Sequence, residues 1–175
     1  PYRVLDPGIY PTAYLMGKRI PTVLGHHGNE LHRYDELLGG KNVWRNLFPT
    51  GTIEDLVQPP HPALRELLAV RYLILPAPQL PLPGFVQVAG PAHPPGGQPA
   101  YLYERDSVPP YARVVPAAAK VPDERIVPTL LDPRLDVNRV VLLPEDAPVE
   151  VPRLDAWPAP SASRAQVTAW EPGRM

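Results

Sequence analysis

The chain has 175 residues, 44% of them apolar, which is enough for one globular domain with a real core and leaves room for a second, partial one. The formal net charge is -1 and the 17 Lys and Arg residues are scattered, so the basic stripe of a nucleic-acid-binding protein is missing and no nucleic-acid partner is expected. The absence of cysteine excludes disulfide frameworks, thiolate metal sites and thiol catalysis.

The 28 prolines limit the length of every regular element, because each removes a backbone donor and fixes φ. Short helices and strands joined by long proline-rich loops are therefore expected. No apolar run reaches the roughly 20 residues that span a bilayer. In the first third of the chain the predicted elements are a strand at Tyr2–Leu5, a short strand at Thr22–Leu24, a helix at Glu30–Leu38, and a loop over residues 41–60 that carries Trp44, Leu47 and Phe48 inward.

A second helix and the strand after it form the clearest pattern. Pro62 suits a first helical turn, and Leu64, Leu67 and Leu68 follow the i, i+3, i+4 spacing of a buried stripe that runs to about Val70. The apolar run Arg71–Leu75 then predicts a strand covered on both faces. We expect this helix and strand to form the centre of the core.

The remaining elements predict an α+β fold. It has a short antiparallel or mixed sheet, two or three short helices and long proline-rich loops, and is followed by the start of a β-rich module. The predicted elements are strands at Phe85–Val88, Tyr101–Glu104, Ala112–Val115, Arg139–Leu143 and Ala165–Trp170, and a helix at Asp123–Leu131 that contains Pro128.

The expected division is a mixed α+β lobe over residues 1–118 and a truncated β-rich module over residues 119–175. The last predicted strand meets a turn signature at Glu171–Gly173, and such a turn calls for a returning strand. The chain also starts at Pro1 without an initiator methionine. We therefore expect a segment of a longer protein.

The segment Gly25–Gly40 concentrates polar chemistry around one short helix. Asn29 is a candidate N-cap, Leu31, Tyr34 and Leu38 lie on one helical face, and Gly39 offers a left-handed stop. The predicted substrate-binding residues are His26, His27, Asn29, Glu30, Tyr34 and Asp35.

Two kinds of chemistry fit this segment poorly. His26, His27, Glu30 and His32 could ligate a metal, but their spacing matches no metal signature, and Glu30 and His32 would lie on different helical faces. Asp35 and Glu36 are adjacent carboxylates that point apart, whereas a glycosidase pair must face a bond from opposite sides. No metal, cofactor or catalytic residue is predicted.

Two further side-chain roles are expected. Tyr34, Trp44 and His27 could stack on a sugar ring, although Tyr34 also lies on the apolar stripe and suits the core. Arg113 follows Pro109–Tyr111 and suits a structural arginine that bridges two segments.

Four segments occur in a recognisable order: Tyr2–Leu5, Gly25–Leu38, Leu67–Ile74 and Ala100–Arg113. Their order and spacing resemble the extracytoplasmic part of YfhO-type bacterial membrane proteins. These are large multi-spanning proteins related to the polyprenyl-phosphate-sugar-dependent glycosyltransferases. The resemblance covers most of residues 1–115 and is weaker over residues 116–175.

The resemblance implies a segment on the outer face of the cytoplasmic membrane, attached through flanking transmembrane helices. It also implies a lipid-linked sugar or a cell-envelope glycan, such as a teichoic acid, as the partner. The catalytic acidic residue of this membrane class is expected in an early loop outside this chain, so the segment itself is expected to be non-catalytic. The alternatives are an independent glycan-binding or protein-interaction module and a soluble metal-dependent enzyme.

Overall fold

The computed structural model describes residues 2–11, 14–24, 31–40, 44–52, 54–57, 61–80, 82–95, 97–107, 109–152, 156 and 158–169. Its helices are α1 (Tyr14–Gly17), α2 (His32–Leu38), α3 (Glu54–Val57), α4 (Pro62–Leu68) and α5 (Asp123–Leu130). Its strands are β1 (Arg3–Leu5), β2 (Val70–Leu75), β3 (Phe85–Ala92), β4 (Ala100–Arg105), β5 (Ala117–Val121) and β6 (Val140–Pro144). The chain divides into two compact units, Pro1–Leu31 with Leu68–Pro109, and His32–Leu67 with Pro110–Met175.

The first unit is built on a mixed four-stranded sheet in the order β1-β2-β4-β3. β2 is an inner strand, parallel to β1 and antiparallel to β4. Its apolar run buries Leu73, Ile74 and Leu75, as predicted for a strand covered on both faces. α4 ends at Leu68 and β2 begins at Val70, so the predicted order of helix and strand is confirmed.

One face of this sheet carries a compact apolar cluster. Val4 of β1, Leu15 of α1, Ile74 of β2 and Ala100 of β4 are its buried members. The half-buried residues packed against it are Ile9, Tyr10, Ile20, Tyr72 and Leu102. The segment from residue 9 to residue 20 therefore covers this face of the sheet, and α1 is held there by Leu15.

The side chain of Tyr103 anchors a loop from within the sheet. Tyr103 is only 1% exposed, and strand alternation places it on the face opposite Leu102. Its hydroxyl donates to the carbonyl of Ala77 at 2.6 Å and accepts the N–H of Leu80 at 3.2 Å. A proline-containing turn after β2 thus gains two fixed hydrogen bonds from a single side chain.

The second unit contains a β-α-β arrangement. β5 and β6 pair in parallel, residue for residue from Ala117 opposite Val140 to Val121 opposite Pro144, and α5 connects them. Ile126 and Val127 are the buried residues of α5. Two adjacent parallel strands need a crossover connection of this kind, because a tight hairpin can join only antiparallel strands.

Arg113 has the structural role that its position predicted. Its guanidinium donates through Nη2 to the carbonyl of Glu66 and through Nη1 to Oδ1 of Asn138 at 2.9 Å. It therefore ties α4 to the turn before β6, two segments far apart in sequence.

Three strand predictions were wrong in the described residues. Residues 112–115 and 165–169 form no strand. The first segment contributes only the bridge of Arg113 to Arg164, a residue that precedes the second segment, and residues 22–24 contribute only the bridge of Thr22 to Val4. Pro110 and Pro116 flank the first of these segments and limit its pairing. The strand lies instead at β5, whose alanines are weak strand formers and give no strand signal.

Other elements differ in extent from their predictions. α3 lies inside the expected loop, and β3 runs on through Gly90 and Pro91. β3 tolerates them because it is an edge strand whose register with β4 shifts twice. α5 starts at Asp123 as predicted, keeps the exposed Pro128 inside it and has no side-chain N-cap bond.

The mixed α+β class is confirmed by the four-stranded mixed sheet, the two-stranded parallel sheet and the short helices. The described part of the chain holds five short helices, against two or three expected. The chain passes from one compact unit to the other after residues 31, 67 and 109, whereas one boundary at 118 was expected. None of the helices in the described ranges is long and apolar enough to cross a membrane.

We predict that Tyr103→Phe destabilises the protein by about 1–3 kcal/mol, because it leaves the Ala77 carbonyl without its donor. The matched control is Tyr101→Phe on the same strand, whose hydroxyl has no hydrogen-bond partner in the described residues. It should change stability by less than about 0.5 kcal/mol. Urea unfolding measures both. Equal effects of the two substitutions would contradict the anchoring role of Tyr103.

Candidate functional site

The residues predicted to bind substrate are only partly within the described structure. His26, His27, Asn29 and Glu30 lie outside the described residues. Tyr34 and Asp35 lie on α2 and are half-buried, as is Trp44 in the turn that follows. The structure therefore leaves the substrate-binding role of this set as a prediction.

The end of α2 is held by glycine geometry and one amide. Gly39 has φ +95° and Gly40 has φ +107°, as expected for a left-handed stop, and the Gly40 N–H donates to the Asp35 carbonyl at 3.0 Å. The Asn46 side chain donates to the Leu37 carbonyl at 2.9 Å, which satisfies an open acceptor of the last turn.

The buried side of α2 differs from the predicted stripe. Leu37 and Leu38 are buried, whereas Leu31 is 76% exposed. Leu31 precedes the first helical residue, so helical spacing does not place it on the buried face. Within the described ranges no group of three or more His, Asp or Glu side chains is placed to hold a metal ion.

The first unit has an aromatic surface that sequence analysis did not single out. Two tyrosine pairs lie beside the same apolar cluster, and each carries a cationic side chain. We call this set the tyrosine surface; it consists of Tyr10, Tyr14 and Lys18 at one end, and Tyr2, Tyr72 and Arg71 at the other.

At the first end two tyrosine rings stack. The ring centroids of Tyr10 and Tyr14 are 5.2 Å apart with an angle of 16° between the planes, and Tyr14 is 37% exposed. The Lys18 ammonium lies 5.9 Å from the centre of the Tyr14 ring. Only Tyr14 and Lys18 are related by a helical i, i+4 step, because Tyr10 precedes the first residue of α1.

A half-buried carboxylate, that of Asp6, shapes the turn that carries Tyr10. Asp6 accepts the N–H groups of Gly8 at 3.1 Å, Ile9 at 2.7 Å and Tyr10 at 3.0 Å. Burial raises the pKa of Asp6 above its usual value, and these three hydrogen bonds oppose the shift. The carboxylate thus fixes the backbone that directs Tyr10 toward Tyr14.

At the second end the aromatic pair meets edge to face. The rings of Tyr2 and Tyr72 lie 5.3 Å apart at 86°, a favourable aromatic geometry. Tyr2 is 39% exposed. The Arg71 guanidinium lies 5.3 Å from the centre of the Tyr72 ring.

The two cations of the tyrosine surface differ in their charge environment. Arg71 donates through Nε at 2.9 Å and Nη2 at 2.7 Å to one oxygen of Glu104, and this pairing raises the pKa of Arg71. The Tyr72 hydroxyl donates to the same oxygen at 3.4 Å. Lys18 has no acidic partner in the described part of the chain. The Arg71 end is therefore an internally neutralised ion pair, whereas the Lys18 end holds a lysine ammonium and, in the turn that carries Tyr10, the Asp6 carboxylate.

This arrangement suits contact with a ligand that has both apolar and polar faces. An exposed tyrosine ring offers a flat apolar surface with a hydroxyl at its tip. Lys18 lies over the Tyr14 ring, and Arg71 and Glu104 supply donors and acceptors beside Tyr72.

No family model, curated protein or solved structure matches this chain.

We predict that Gly39→Ala is more destabilising than Gly40→Ala. Both positions have a positive φ, which costs a residue with a Cβ about 1–2 kcal/mol. A Cβ at Gly39 would also lie 2.7 Å from the Asn46 backbone nitrogen, whereas one at Gly40 meets nothing within 4 Å. In thermal unfolding, the free energy of unfolding of Gly39→Ala should be at least about 1 kcal/mol lower than that of the control, Gly40→Ala. Equal losses would contradict the close approach of residues 39 and 46.

We also predict that Asp6→Ala separates the stacked tyrosine pair, because the three N–H groups that orient the turn lose their acceptor. The measurement is the set of through-space NMR contacts between the Tyr10 and Tyr14 rings, which should weaken or vanish. Asp6→Asn is the matched control, since its amide oxygen can still accept hydrogen bonds. This variant should keep most of the contacts between the two rings. Unchanged ring contacts in Asp6→Ala would show that the turn holds without the carboxylate.

Proposed function

We propose that this chain is a non-catalytic, glycan-contacting segment of a larger membrane protein that resembles the YfhO-type, polyprenyl-phosphate-sugar-dependent glycosyltransferases. The tyrosine surface is the proposed contact. The observation that carries the proposal is the exposed Tyr14 ring, stacked on Tyr10 and bordered by Lys18, above an apolar cluster that fixes its support.

The physical basis is the match between a tyrosine ring and a sugar ring. The C–H face of a pyranose is apolar and its rim is polar, and an exposed tyrosine offers an apolar face with polar neighbours. At the other end of the surface, the paired Arg71 and Glu104 present both donors and acceptors to hydroxyl groups without a large net charge. Such contacts suit a weak, reversible interaction with a carbohydrate.

The predicted substrate-binding residues of the α2 region keep their place in this proposal as a second contact. Tyr34 and Asp35 are accessible enough to meet a ligand, since both are half-buried on α2. The two contacts lie in different units of the chain, so their roles can be separated by substitution.

The cellular setting is also part of the proposal. We place the segment on the extracytoplasmic face of the cell membrane, where a lipid-linked sugar or an envelope polymer such as a teichoic acid is the partner. Residues 119–175 begin a β-rich module in this proposal, and α5 and β6 lie within that range. Transmembrane spans encoded upstream of Pro1 in the full gene are expected, and their absence would favour an independent glycan-binding module.

We predict that envelope sugars bind the chain and that Tyr14→Ala weakens the binding about tenfold, the loss expected when an aromatic contact worth about 1.4 kcal/mol is removed. The measurement is an amide-resolved NMR titration with the methyl glycosides of glucose, galactose and N-acetylglucosamine. Shifts should localise to the residues around Tyr10, Tyr14 and Tyr72.

The matched variant is Tyr34→Ala, which removes a half-buried tyrosine from α2 and leaves the tyrosine surface intact. A loss confined to Tyr14→Ala supports the tyrosine surface as the main contact. A loss confined to Tyr34→Ala would move the contact to α2 and contradict that assignment. A well-dispersed spectrum that responds to none of the sugars would overturn the proposed function.

A further inference from the structure

The outer edge of the four-stranded sheet is a second exposed feature of the first unit. β3 is its longest strand, with eight residues, and it lies at the end of the order β1-β2-β4-β3. Among the described residues no strand pairs with its outer side. An edge of this kind presents a row of backbone donors and acceptors to any other strand.

The ladder between β3 and β4 shows which backbone groups face outward. The Asp106 N–H donates to the Gly84 carbonyl, and the register then pairs Val86 with Glu104 and Gln87 with Tyr103. Bonded and non-bonded pairs alternate in an antiparallel ladder, so Val86 is bonded to β4 while the N–H and C=O of Gln87 point to the free side. Gln87 is therefore the centre of the open edge.

The usual protection of an edge strand is confined to the second half of β3. Both register shifts and Pro91 follow Gln87, whereas the first half of the strand has neither, and none of the β3 residues is charged. Val86 is 55% exposed and Val88 is 49% exposed, on either side of Gln87. The open edge thus combines free hydrogen-bonding groups with two exposed apolar side chains.

We propose that this edge pairs with β3 of a second copy of the chain, in an antiparallel, two-fold symmetric arrangement centred on Gln87. The outward N–H and C=O of Gln87 would then exchange two hydrogen bonds with the same groups of the partner copy. Val86 of each copy would lie opposite Val88 of the other, so the four exposed valines would pack against one another.

The second copy is the favoured occupant because the edge complements itself. A two-fold contact places the same patch on both sides, and an uncharged strand meets its own copy without like-charge repulsion. A single strand pairing buries less than the standard interface of about 1,600 Å², so the dimer is weak and concentration-dependent. The pairing does not depend on glycan binding.

Sedimentation velocity of the full 175-residue chain over a range of concentrations, from micromolar to millimolar, tests the dimer. Val86→Lys should weaken dimerisation at least tenfold, because it places a charge against Val88 of the other copy. The substitution suits the folded monomer, since Val86 lies opposite Glu104 of β4. The matched control is Val141→Lys, at a 41% exposed valine of β6, and it should leave the dimer unchanged.

A mixing experiment tests the register itself. Val88→Glu should also weaken self-association, and an equimolar mixture of the Val86→Lys and Val88→Glu chains should recover it, because the opposite charges then face each other across the two-fold axis. A chain that stays monomeric at millimolar concentration would overturn the proposal. A dimer that survives both single substitutions, or a mixture that does not recover, would overturn the β3 pairing.

Discussion

The parallel pairing of β1 with β2 is the interaction on which the first unit depends. It joins the start of the chain to a strand about 65 residues later, with Val4 opposite Tyr72 and Leu5 opposite Leu73. The Arg3 side chain adds a hydrogen bond to the Leu68 carbonyl at 3.3 Å. Because this pairing is non-local, its loop-closure entropy must be recovered by burial, and the apolar cluster on the sheet provides that burial.

The tyrosine surface follows from this pairing. Once β1 lies beside β2, Leu15 can pack on Val4 and Ile74, and α1 is held on the sheet. Tyr10 and Tyr14 then stack at the outer side of that contact, while Tyr2 and Tyr72 meet because they belong to the two paired strands or their immediate flanks. The proposed ligand-contacting surface is thereby held in place by a buried core.

Much of the first unit could be predicted because local pattern and tertiary structure agree there. The apolar run of β2 and the alternation in β4 each point to the element that forms. The second unit was harder to predict. The alanines of β5 form a strand only because β6 offers a parallel partner, and residues 165–169 alternate as a strand would but have no continuous partner.

Prediction of the candidate site from local sequence pattern was limited in the same way. A polar block such as residues 25–40 is visible in the sequence because its residues are adjacent. The pairs Tyr2–Tyr72 and Arg71–Glu104 depend on strand register, which no local pattern specifies. Sequence analysis therefore found a segment rich in chemistry and overlooked a surface assembled from distant segments.

The most direct test of the account is an isotope-filtered NOESY spectrum of the labelled chain with the tightest-binding methyl glycoside. The account predicts through-space contacts from the C–H protons of the sugar to the ring protons of Tyr14, together with contacts to Tyr72 or Tyr2. Contacts confined to residues 25–40, or to neither region, would contradict the claim that the tyrosine surface receives a glycan.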